Sequence, residues 1–98
     1  GAQLWAEIHS LNGGYDYEQY TLFSGMDEGL DGLADRYLKA STPEDAALWR
    51  EAMEKAKAAM VAVLANPNAN ERQENLDKYW RLVYGYYDKW HEMHPGAE

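Results

Sequence analysis

The sequence predicts an all-α protein: an antiparallel three-helix bundle of long helices plus a short N-terminal helix, four helices overall. Three observations carry this. Apolar side chains recur every three or four residues through most of the chain, the period of a helix face. Two compact connectors, Ser41-Thr42-Pro43-Glu44-Asp45 and Asn66-Pro67-Asn68-Ala69-Asn70, hold the capping and breaking residues that separate helices. Between Asn70 and Pro95 lie six of the thirteen aromatic residues, Tyr79, Trp80, Tyr84, Tyr86, Tyr87 and Trp90, a density that predicts the spine of the core in residues 71–94.

Residues 3–11 form the short helix, with Leu4, Trp5, Ile8 and Leu11 on one side. Asn12-Gly13-Gly14 ends it, because asparagine and glycine accept the left-handed conformation of a helix C-terminus. Asp16 with Gln19 three residues later reads as the N-cap of the next helix, residues 17–40. There Leu22, Met26, Leu30, Leu33 and Tyr37 share one face, broadened by Phe23 and Ala34. At the first connector Thr42 caps, Pro43 suits the first helical position, and Glu44 and Asp45 meet the positive end of the dipole. The helix so begun runs to Ala65 with Trp49, Ala52, Met53, Ala56, Ala59, Met60 and Val63 inward.

The last helix has Asn70 and Gln73 as its capping pair and Pro95-Gly96 as its stop. At 100° per residue Leu76, Trp80, Val83, Tyr87, Trp90 and His94 fall within about 40° of one line. Tyr79, Leu82, Tyr86 and Met93 widen that face on one side, Tyr84 and His91 on the other. Gly85 interrupts the polar face, where it marks either tolerated drift or the close approach of a backbone or ligand. Short connectors make neighbouring long helices antiparallel, each about 35 Å long. The ends of residues 17–40 and 71–94 and the start of the helix between them then share one end of the bundle, the top.

The 98 residues read as one domain, 1–98, able to bury about 65% of its unfolded surface. There are no cysteines, which removes disulfides, thiolate zinc sites and cysteine nucleophiles. No apolar run approaches the length of a membrane span, and no secretory leader is visible; the Gly1-Ala2 start reads as a cleavage scar, a processed terminus or an excised domain. A formal charge of −8 argues against direct nucleic-acid binding and against anionic membranes.

That charge is uneven. Residues 1–35 carry seven acids and no base, whereas residues 36–98 carry ten acids and nine bases. The later helices balance themselves at i,i+4 through Glu51–Lys55, Glu74–Lys78 and Asp77–Arg81. The helix over 17–40 does not: Asp27, Asp31 and Asp35 repeat every four residues with Glu28 beside them. This is either a solvated face that keeps the protein soluble or an electrostatic landing surface for a basic partner. The same acids do not make a calcium loop, because Gly29 and Leu38 stand at positions 3 and 12, where an EF-hand loop needs ligands.

Gly25, Gly29 and Gly32 recur at helical spacing beside the apolar face. A groove for a closely packed helix is their expected role, ahead of helix breakage near Gly25 and a ligand seat. His91 and His94 are weak metal candidates. Two histidines at a helix C-terminus are also explained by the dipole, and His9, the natural third ligand, belongs at the opposite end. No cofactor is implied. Ser10, Ser24 and Ser41 carry no nucleophile signature and there is no phosphate loop, so the expectation is that the chain is not an enzyme. The composite expectation is a protein–protein interaction module of inhibitor, immunity or adaptor type. It presents Asp27, Glu28, Asp31 and Asp35 to a partner protein with a basic surface, and Tyr15, Tyr17 and Tyr20 serve as contact anchors. The alternative is a small-molecule or metal-binding helical bundle that uses the aromatic C-terminal helix.

Overall fold

The structure is a computed structural model that describes the backbone of residues 17–96 and the side chains of residues 20–96. Among these residues there are three helices and no strand: α1 (Tyr17–Leu38), α2 (Pro43–Leu64) and α3 (Ala69–Met93). The expected helix over residues 3–11, its Asn-Gly-Gly stop and the Asp16–Gln19 cap lie outside the described residues.

The first connector folds as its chemistry dictates. Thr42 is extended at φ −132°, ψ 156°, and its hydroxyl accepts from the Asp45 amide at 3.1 Å. Pro43 follows at the first helical position, where a missing N–H costs nothing. The second connector departs from expectation: the N-cap of α3 is Asn68, not Asn70. Asn68 is extended at φ −91°, ψ 119°, and its Oδ1 accepts from the Glu71 amide at 3.0 Å. Asn66 Oδ1 accepts from the Asn68 amide at 2.9 Å, closing a turn around Pro67 that sets Asn68 at the entry. Asn70 is thereby already inside the helix. At the far end the helix closes on His94, whose amide donates to the Trp90 carbonyl at 3.0 Å, and Gly96 turns the chain away at φ +87°.

The core draws Phe23, Met26 and Leu33 from α1, Trp49, Ala52, Ala56, Met60, Val63 and Leu64 from α2, and Tyr79, Val83 and Tyr86 from α3. Early α2 meets both late α1 (Arg50 donates to the Tyr37 hydroxyl at 3.2 Å) and late α3 (Tyr86 donates to Glu51 at 2.8 Å). Both neighbours therefore run antiparallel to α2. This makes α2, and not the aromatic α3, the central element. Half of the core cluster comes from α2, and its alanines let both neighbours lie close. The aromatic helix instead spans the wider gap to α1 with long side chains. Its buried line runs through Tyr79, Val83 and Tyr86, rotated roughly 50° from the line expected at 100° per residue. Tyr84 is left 61% exposed.

Two glycines make the α1–α3 gap fillable. A Cβ at Gly29 would stand 2.7 Å from the Tyr79 hydroxyl and 3.1 Å from Trp80, and one at Gly32 would stand 3.2 Å from the Tyr87 hydroxyl. The space left by Gly29 lets Tyr79 donate to the Met26 carbonyl inside the core. The close approach expected of the glycine stripe is thus to ring tips and not to a backbone, and α1 continues unbroken through Gly25. Beyond its chain neighbours and its own helix backbone, nothing described lies within 4 Å of where a Cβ at Gly85 would stand, so that glycine is tolerated drift.

Candidate functional site

The top of the bundle gathers the last turn of α1, the first connector, the first turns of α2 and the last turns of α3. Arg36 is placed there by the α1 register, one residue before the half-buried Tyr37. Its guanidinium carbon sits 5.9 Å from the Trp49 ring centroid, 5.3 Å from Tyr87 and 5.4 Å from Trp90. Trp49 and Tyr87 pack against each other at 5.1 Å, tilted by 56°. Three rings from two helices therefore surround one cation from the third. Each such contact contributes about 0.5–2 kcal/mol, depending on desolvation.

Beside this cage Asp45 is buried, 4% exposed, in the first turn of α2. Its Oδ1 lies 2.8 Å from Nε2 of His94, and the His94 ring stacks on Trp90 at 4.6 Å. The positive end of the α2 dipole also favours a carboxylate at this position. His94 is thus a latch between the end of α3 and the start of α2. His91 is exposed and meets only the edge of Trp90, at 5.3 Å. Among the described residues no three His, Asp or Glu side chains come together as metal ligands would.

Between these groups opens a cavity of about 320 Å³, lined by Asp35, Arg36, Lys39, Ala40, Ser41, Asp45, Trp49 and Trp90. Its charges are unequally answered. Asp35 pairs with Lys39 at 2.9 Å and Asp45 is held by His94, whereas the Arg36 guanidinium has aromatic faces around it and no carboxylate within 4 Å among the described residues. The volume is at the lower end for small-molecule sites.

The acidic residues of α1 lie elsewhere on that helix. Glu28 and Asp31 are exposed, and neither has an ion pair among the described residues; Asp27 is half-buried. Asp35 is exposed but closed by Lys39, so the α1 charge is partly balanced at its C-terminal end, against the expectation of an unrelieved acidic ridge. Of the three expected i,i+4 pairs, Asp77–Arg81 closes at 2.9 Å. Glu51 instead accepts from Tyr86, which holds its carboxyl below the ordinary carboxylate value with Lys55 adding to the effect. Burial, and then that same bond, push the Tyr86 phenol up to about 12. Burial, with the Asp27 charge nearby, pushes Tyr79 up further still. Of the expected anchors, Tyr20 is 43% exposed at the start of α1. Tyr15 and the side chain of Tyr17 lie outside the described residues.

The structure brings Arg36, Trp49, Tyr87, Trp90, Asp45 and His94 together; of these His94, and Trp90 as part of the aromatic C-terminal helix of the small-molecule alternative, were candidates from the sequence, and Arg36, Trp49 and Asp45 were not. The available signal was the alignment of helix ends, which put the last turn of α1, the first of α2 and the last of α3 at one end. Which side chains converge within that end depends on helix rotation. Comparison with protein-family models, with curated proteins and with solved structures finds no match.

Proposed function

We propose that this protein is a non-catalytic interaction module, of inhibitor, immunity or adaptor type, that offers the acidic face of α1 to a basic surface on another protein. The observation that supports this reading is the pairing pattern. Glu28 and Asp31 stand exposed without a described base in reach, while three bases of the later helices are engaged at home, Arg81 on Asp77, Arg50 on Tyr37 and Lys89 on Tyr86. Opposed charges across an interface speed encounter and fix orientation more than they add affinity. The test is retention of a partner from the source organism on immobilised protein, compared between the wild-type chain and a Glu28→Lys, Asp31→Lys variant with matched helicity. The variant should release the partner at lower salt, with a shallower salt dependence. Equal retention at every salt concentration would sink the assignment.

A second reading is favoured by one specific observation, the cavity walled by Trp49 and Trp90. In this reading the bundle takes a small molecule at its top end, using the aromatic C-terminal helix. Here the α1 charge reversals are silent and changes at Trp90 matter.

A further inference from the structure

We infer that the top cavity takes a small aromatic carboxylate, its anionic group on the Arg36 guanidinium and its ring against the half-buried Trp90 indole at the cavity wall. This rests on the small-molecule reading above and names its ligand class. A guanidinium is charged at all accessible pH and carries five N–H donors in its plane. The rings of Trp49, Tyr87 and Trp90 answer its charge, but a π face accepts no in-plane hydrogen bond of ordinary strength. The carboxylates on the cavity wall are both committed, Asp35 to Lys39 and Asp45 to His94. A fork of donors thus remains, held in place by packing and bordering a cavity of about 320 Å³. A carboxylate matches that fork with two parallel charge-assisted bonds. The volume admits one or two rings and excludes a folded partner.

The net charge of −8 opposes any anion at long range. At about 0.1 M salt, however, charges beyond about 10 Å are screened, so the short-range donors decide.

The test is an NMR titration of the tryptophan indole N–H signals with benzoate and, separately, with its neutral isostere benzamide. Benzoate should move the Trp49 and Trp90 signals saturably and bind about tenfold or more tighter than benzamide, the margin of one charge-assisted pair. Arg36→Gln should remove that margin and leave benzamide unchanged, with Arg36→Lys in between because it keeps the charge and loses the fork. Equal binding of the two probes to the wild-type protein would overturn the inference while leaving a cavity that binds neutral rings. Shifts that never saturate, or no shift with either probe, would overturn both.

Discussion

At the scale of single residues the fold turns on a missing methyl group. Tyr79 lies fully buried with its hydroxyl on the Met26 carbonyl, and it fits because position 29 has no Cβ. Gly29→Ala would put a carbon 2.7 Å from that hydroxyl, and a ring packed this tightly cannot swing aside cheaply. Overpacking costs about 1–3 kcal/mol, against about 1 kcal/mol gained in helix propensity. We expect Gly29→Ala to lower the denaturation midpoint and Gly85→Ala, on an exposed face, to raise it, both read in urea by circular dichroism. A stabilised Gly29→Ala would show that Tyr79 does not occupy this seat. The glycine spacing on α1 was visible in the sequence; that Tyr79 and Trp80 are the groups seated on it was not, since it depends on the rotation of a helix fifty residues away.

At the scale of helices, the sequence announces one boundary and misplaces another for a physical reason. Thr42-Pro43 admits a single solution, because proline is tolerated only at the first turn. The second connector offers three asparagines, each able to cap, and the choice falls to the one held extended by the Asn66 turn. Asn68→Ala should therefore destabilise the protein by about 1 kcal/mol while Asn70→Ala is nearly silent, measured by chemical denaturation. The reverse ranking would restore the cap at Asn70. The helical periods of α1 and α2 predicted their inward faces well. Phe23, Met26, Leu33, Trp49, Ala52, Ala56, Met60 and Val63 are all buried as their spacing requires. The centre of the bundle was misjudged because aromatic volume was weighed above connectivity. Among the described residues three helices are joined by short links, so the middle one touches both others, and small side chains suit that place better than large ones.

At the scale of the whole molecule, α2 and α3 are joined by a bond whose protonation can be followed. The Tyr86 phenol, pushed up to about 12, donates to Glu51. Its folded value lies above the ordinary tyrosine value, so its contribution is complete below about pH 10 and is lost as pH rises through about 12. Glu51 has the opposite sign: its folded value is depressed, so its share is present above the ordinary carboxylate range and lost as pH falls below it. An ultraviolet titration of the eight tyrosines should show a step near pH 12, earlier than that of the more deeply shifted Tyr79, that disappears in Tyr86→Phe. Coincident ionisation of that tyrosine with the exposed ones would rule the bond out.

The central position of α2 also bears on how the chain finds its fold. Each of the two principal helix interfaces joins sequence neighbours across a short connector, and the α1–α3 contacts are the sparse remainder. Most native contacts thus close loops no longer than one helical hairpin, and the entropy lost on closing a loop grows only slowly with its length. Such a low contact order places the bundle among fast folders, on the microsecond-to-millisecond scale. Either hairpin is a sufficient start, and the ring-tip contacts of Tyr79, Trp80 and Tyr87 with α1 form when the second hairpin closes on the first.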